Sequence, residues 1–463
     1  MTFNLLILNE LLRNRNIMKN SRLLSILGLM IFSCSLLMAV ELSEDDAVQI
    51  ALEKNLSLKQ EGIDLGISAR ESRSVWNHFL PDITTGINYS QSDFYTDFLD
   101  RYGEAYSISS SSVGLDSSNL TAFAAFELDL SASTAANIKS TRIEYESGLI
   151  SYEMAVKALE RDVRIQYNTL LIISETVEIY KKILDTAKKN YERAKLNYEL
   201  GNARRVDMLS YQVNYESMKP QLIDIENVYE TNLLELKRII GLSPLEELLL
   251  SGGIERVVKP ISNEDELIAG GLESNMDLQY LRSQMKLLNS RKQELALGTR
   301  TPSFKMSYNY TPTINGPSSA DLGNDWDDSS SQLDLTLAIP LNGFIPGSDY
   351  NLSVKEIEDE VKKMGYLYED SSRQIGQAIQ ELILNINKSV KTIGVLRLNI
   401  ELAQENYNII DKSYSEGAAD YLAVQSAQDE LNLAYISEKE EVVTYLSSLF
   451  YLEYMVNNSE MMK

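Results

Sequence analysis

Apolar side chains recur at alternating steps of four and three along two long stretches of the chain. Between about Asn137 and Leu200 the seam runs Tyr145, Leu149, Tyr152, Val156, Leu159, Val163, Leu170, Ile173, Val177, Tyr180, Leu184, Ala187, Tyr191, Ala194 and Tyr198, and only Gln166 breaks it. Between Asn351 and Glu416 it runs Ile375, Ile379, Leu382, Ile386, Ile393, Leu396, Ile400, Ala403, Tyr407, Ile410 and Tyr414, with Ser389 the exception. A seam of that period, free of Pro, predicts a long helix packed along a partner helix. Both stretches end alike: Gly201 follows Tyr198 by three residues, and Gly417 follows Tyr414 by three. A helix C-cap favours Gly there because the backbone turns to positive φ. Helical patterns restart at Asp207-Met208-Leu209 and Asp420-Tyr421-Leu422. The chain therefore reads as two helical hairpins, an internal duplication with a period of about 216 residues, far beyond that of solenoid repeats. At 1.5 Å rise per residue each long arm would reach on the order of 100 Å.

Ahead of each long arm the period switches from helical to two. Ser43 to about Val75 is helical, opened by an N-cap Ser and first-turn acids, and Leu80-Pro81 stops it. Asp82 to Ser90 then alternates, with Ile83, Ile87 and Tyr89 opposite Thr84, Asn88 and Ser90, and Ala124 to Leu130 alternates again. The second half follows suit: a helix over Ser262 to about Leu297, a stop at Thr301-Pro302, a strand over Phe304 to Tyr310 and a fourth over Leu333 to Leu341. Ser92 to Asn119 and Thr311 to Ser331 are polar loops, and Gly241 to Pro260 joins the halves. The organisation expected is an N-terminal extension and leader over 1–39, a first repeat over 40–258, a second of the same order over 259–457, and a tail over 458–463.

Composition narrows the chemistry. A formal net charge of -24 offers no basic stripe for nucleic acid. One Cys and one His exclude a disulfide framework, a thiolate metal site and a histidine triad. No phosphate-cradling, nucleophile-elbow or zinc motif occurs, so no enzyme and no cofactor is expected. Asp325-Trp326-Asp327-Asp328 lacks the spacing of a calcium loop and reads as a solvated acidic turn. Lys19 and Arg22, an apolar core from Leu23 to Phe32 and Ala39 compose a secretory signal, with Met18 an alternative start. Two other readings stay open: an uncleaved anchor over Leu23 to Val40, and lipidation at Cys34 through a loose lipobox. All three lead out of the cytoplasm.

Four strands of about 9 to 11 residues are long enough to cross a bilayer when tilted. Lipid satisfies no backbone group, so a spanning sheet must close on itself. One chain supplies too few strands to enclose a pore, whereas three copies would supply twelve. The alternation fits equally well two soluble hairpins with a buried face, hence a periplasmic coiled-coil protein that binds partners without a pore. Tyr89, Phe94, Tyr95, Tyr308 and Tyr310 are candidates for an interfacial aromatic girdle.

The order of these features resembles the TolC family of outer-membrane efflux proteins over nearly the whole mature chain, from about Leu42 to Val456. Its carriers are Leu42-Ser43-Glu44-Asp45-Asp46-Ala47-Val48, Ala51-Leu52-Glu53-Lys54-Asn55, Leu80-Pro81, Ile339-Pro340-Leu341 and the two Tyr-x-x-Gly tips. The resemblance implies a mainly α fold with a small β part: helical hairpins forming a periplasmic α-barrel, and four strands per protomer in a homotrimeric, twelve-stranded outer-membrane β-barrel. It implies a passive exit duct of a tripartite efflux or type I secretion system, docked through its tips to a periplasmic adaptor and an inner-membrane pump. On the family pattern, Asp420 would ring the pore constriction and Asp207 would help to hold the closed state. The family's second acid falls on Ala423, and the second tip is about three residues shorter than the first and lacks the family's basic partner, although Arg204 and Arg205 stand in the first tip. Gly201, Gly417, Tyr198, Tyr414, Leu209 and Leu422 are the expected tip and docking residues. Three-fold symmetry would crowd the acids in a narrow pore and raise local cation concentration; equally, each acid can serve simply at a helix N-terminus.

Overall fold

In the computed structural model, residues 40–92, 117–252, 258–316 and 328–458 are described. The leader with Cys34, the girdle candidates Phe94 and Tyr95, and Asp325 to Asp327 lie outside them. A three-residue strand, β1 (Val40–Leu42), leads into α1 (Glu44–Lys54) and α2 (Leu56–Ser74), and a 3-10 turn (Val75–Phe79) leads to β2 (Asp82–Ser92). Next come β3 (Ser117–Ser131), the 68-residue α3 (Ala132–Glu199), α4 (Arg205–Ile240) and β4 (Leu248–Leu250). The second repeat holds α5 (Glu264–Ser274), α6 (Met276–Gly298), β5 (Ser303–Gly316) and β6 (Asp328–Ala338). A 3-10 turn (Asn342–Phe344), the 67-residue α7 (Asp349–Ser415) and α8 (Tyr421–Val456) complete it.

The residues form two compact units, and each takes segments from both repeats. One comprises 1–56, 158–262 and 382–452; the other comprises 57–157, 263–381 and 453–463.

In the first unit, Leu42, Ala47, Val48, Ala51, Val163, Leu170, Leu233, Leu236 and Ile240 close one apolar core around Tyr167. Beside it β1 and β4 pair in parallel, Leu42 opposite Leu250. The sequence pattern treats this segment as a plain connector, because three-residue strands are too short for an alternation to register. The Tyr167 hydroxyl lies 2.8 Å from the Leu42 carbonyl and 2.6 Å from that of Ser251, so the phenol ties both strands to α3. Burial, with Glu44 nearby, pushes its pKa up. The two seam exceptions also find reasons. Gln166 donates to the Asn232 carbonyl of α4 at 3.0 Å, and Ser389 is small enough to be buried within the seam.

In the second unit the sheet order is β2-β3-β5-β6, antiparallel throughout, so the strands make one sheet and not two hairpins. The strands run longer than their apolar alternation: polar residues such as Thr121 and Ser330 continue the ladder wherever a partner strand is available. The fourth strand stops at Ala338, short of the expected Leu341, because Pro340 has no N–H to donate and the chain then enters its 3-10 turn. The first third of α3 departs from the predicted seam. Ala136, Ser140 and Ser147 are buried there, while Leu149 is exposed. Facing α6, Ser140 donates to Ser290 at 3.1 Å, Arg291 to Glu144 at 2.5 Å and Gln284 to Ser147 at 2.8 Å, a polar zipper that an apolar count misses.

Each expected pre-strand helix is two helices, broken at Asn55 and at Asn275. Both residues leave the helical region at ψ 127. Asn55 donates to the Ile239 carbonyl at 2.8 Å, and Asn275 to the Met455 carbonyl at 3.0 Å. Each therefore satisfies a carbonyl in the last turn of a return helix, where the helix itself supplies no donor. The acceptors stand at equivalent places in the two repeats, just before the positive-φ residues Gly241 (φ 75°) and Asn457 (φ 49°). A Cβ at Gly241 would come within 2.8 Å of the Lys54 backbone, so this crossing requires Gly.

Candidate functional site

The ladder registers sort the sheet into two faces. Ile83, Phe126, Tyr308 and Leu333 stand in one row across all four strands. Thr85, Ile87 and Tyr89, Leu128 and Leu130, Phe304, Met306 and Tyr310, and Leu335 and Leu337 share that face. Thr84, Asn88, Glu127, Asp129, Lys305, Ser307, Gln332, Asp334 and Thr336 occupy the other, where Lys305 and Glu127 form an ion pair. The polar face holds one large apolar side chain, Phe123, which lies over Gly86 where any Cβ would collide with its ring.

No described side chain of the four strands is buried. Ile87 is 73% and Leu337 69% exposed, so none of the described residues covers the apolar face. Both outer strands, β2 and β6, present open edges. A soluble sheet of this pattern would bury its apolar face against its own protein, and an exposed patch of this kind marks an interaction with lipid or with another chain. Among the described residues no helix is long and apolar enough to cross a membrane. Of the girdle candidates, Tyr89, Tyr308 and Tyr310 all lie on the apolar face.

The hairpin tips belong to the first unit. Gly201 (φ 76°) and Gly417 (φ 77°) both adopt the left-handed conformation. At the first tip the Gly201 N–H donates to Tyr198 and that of Asn202 to Asn197; at the second, Gly417 donates to Tyr414 and Ala418 to Ser413. This double bond pattern closes a helix with a left-handed residue.

The two acids play different local parts. Asp420 accepts from the Ala423 N–H at 2.9 Å and so caps α8. Asp207, in the first turn of α4, takes a bidentate pair from Arg204 at 3.0 Å for both bonds. Three tyrosines join the two hairpins just behind the turns. The Tyr211 and Tyr421 ring centroids are 3.9 Å apart and those of Tyr211 and Tyr414 6.1 Å. Burial and a hydrogen bond with Tyr414 drive the Tyr211 phenol well above its ordinary pKa, and burial also raises that of Tyr421. The sequence pattern marks Tyr414 as the last seam residue; Tyr211 and Tyr421 carry no separate signal, since only the juxtaposition of the hairpins makes them a cluster. Alongside, Val206, Leu209, Val213, Tyr421, Leu422 and Gln425 line a groove of about 460 Å³. The expected docking residues Leu209 and Leu422 therefore share one surface. Tyr198 is exposed on the opposite arm of the first turn.

Residues 47–242, most of the first repeat, match the family described as Outer membrane efflux protein. No curated protein matches the chain. Solved structures share its fold over about nine-tenths of its length. A membrane protein from Pseudomonas aeruginosa is similar with a TM-score of 0.72 and 14% identity, over 90% of each chain. The channel-forming CusC gives 0.73 at 11% identity, over 91% of this chain and 93% of its own. The CmeC outer membrane channel of Campylobacter jejuni gives 0.72 at 14%, over 89% and 85%. The fold is thus that of the TolC-like channel structures. The family match is confined to residues 47–242, and the likeness to solved structures, at 11–14% identity, is one of fold.

Proposed function

We propose that the protein is a homotrimeric, passive exit duct that works with a periplasmic adaptor and an inner-membrane pump. The observation that carries this reading is the bare apolar face of the sheet between two open edges. Three copies would pair β6 of one with β2 of the next, removing the edges, turning the apolar face to lipid and the Asp, Glu, Lys and Thr face to a water-filled lumen. The chain holds no motif for nucleotide hydrolysis, so the driving force comes from the partner pump. The tips are the docking end. Gly201 and Gly417 keep the turns tight, Leu209 and Leu422 offer an apolar groove to the adaptor, and Tyr198 and Tyr414 hold the arms beside it. Asp420 and Asp207 line the constriction and favour cations.

Outer-membrane extracts should contain trimers that dissociate only on heating, and a monomer released with the periplasmic contents would refute the duct. Gly417→Arg should abolish cross-linking to the adaptor while leaving those trimers intact; unchanged cross-linking would remove the docking role. In planar bilayers Asp420→Asn should lower cation selectivity, and an unchanged reversal potential would strike Asp420 from the pore.

A further inference from the structure

The two repeats reach the sheet by unlike junctions. The inner strands have short polar ones: β3 runs from Ser131 straight into α3, and Thr299 to Pro302 separate α6 from β5. The outer strands are flanked by apolar 3-10 turns. Ahead of β2, Trp76 is 69% exposed and lies tilted against Phe79, ring centroids 5.8 Å apart, with Leu80 exposed in the same turn. After β6, Leu341, Phe344 and Ile345 are exposed, Phe344 at 61%. This second turn is held rigidly. Arg300 donates to the Gly343 carbonyl at 3.2 Å and Asn351 to that of Ile345 at 2.7 Å, and Gly343 is pressed on the Thr299 backbone where a Cβ would collide. Such bracing fixes in place apolar side chains that no described residue covers.

Strand direction points to their cover. β2 leads away from its helices and β6 leads back to them, so the two are antiparallel to one another in the sheet. Strands lie about 4.8 Å apart, which separates β2 from β6 by about 14 Å within one chain, too far for their flanking turns to touch. When β6 of one copy pairs with β2 of the next, both helix-side ends fall on the same side of the new seam. We infer that Leu341, Phe344 and Ile345 of one copy pack on Trp76, Phe79 and Leu80 of the adjacent copy, an apolar lock at the foot of each intersubunit seam. The inference rests on the trimeric closure proposed above and adds which residues fasten it. It also explains why only the outer strands carry these turns: the inner ones have their neighbours already.

The test uses the full chain with Cys34→Ser as background. Phe79→Cys combined with Phe344→Cys should form disulfides between copies under mild oxidation, converting the monomer band on non-reducing denaturing gels into covalent trimer, while either single cysteine forms none. Heat-resistant trimers without that conversion would overturn the lock and leave the duct standing. Wild-type protein without heat-resistant trimers would overturn the closure itself. A second measurement avoids altering the lock. In Trp326→Phe, Trp76 is the sole tryptophan, and brominated lipids should leave its fluorescence unquenched. Strong quenching would overturn the inference, showing that lipid and not a second copy covers the turn.

Discussion

The protein contains two β-sheets in opposite circumstances. The small one, β1 with β4, is sealed along its apolar side: Leu42 is 0% exposed and Leu248 8%, packed under α1, α3 and α4, while Leu249 points outward. The large one is apolar along one face and bare, with no buried side chain among those described. Hydrophobicity alone therefore does not mark a core in this chain. What separates the sheets is who supplies the cover. The small sheet is covered by its own helices; the large one is left bare by the described residues, and in the proposed closure sister copies and a bilayer cover it.

That contrast can be broken by substitution. In the sealed region, Leu236→Ala removes a fully buried side chain and should destabilise the protein by about 2–5 kcal/mol. The loss should appear as a lower thermal midpoint of the helical circular-dichroism signal, in detergent and in membranes alike. On the bare face, Leu335→Arg should behave differently. It places a charge toward lipid, a cost of about 2–4 kcal/mol near the bilayer midplane, and should reduce the yield of heat-resistant trimer in the outer membrane. The helical melting of the detergent-solubilised chain should stay unchanged. An equal loss of helical stability from both variants would erase the distinction between the sheets.

The smallest effects sharpen a second contrast, between the tips. Asp420→Ala deletes an N-cap and should weaken the second tip by about 1 kcal/mol. Asp207→Ala deletes only an ion pair whose Arg204 partner is 81% exposed, worth about 0.2–1 kcal/mol. Limited proteolysis should therefore open the second turn more readily in the first variant than it opens the first turn in the second. The reverse order would show that Arg204 is the stronger fastening.

Periodicity alone determined a good deal: two hairpins, Gly at both turns, four alternating strands and their duplication. Those features are local, and each is set by which side chain stands three, four or two residues away. The sequence could not by itself reveal the breaks at Asn55 and Asn275, since an Asn inside a helical pattern becomes a junction only when a distant carbonyl arrives to accept its amide. It concealed the polar zipper between α3 and α6 for the same reason: Ser140 and Ser147 are invisible to a count of apolar residues until Ser290 and Gln284 face them. It also left open whether the alternating strands bury their apolar side or bare it. Only the tertiary structure decided that, because burial depends on what other parts of the chain lie opposite, and none of the described residues lies opposite this face.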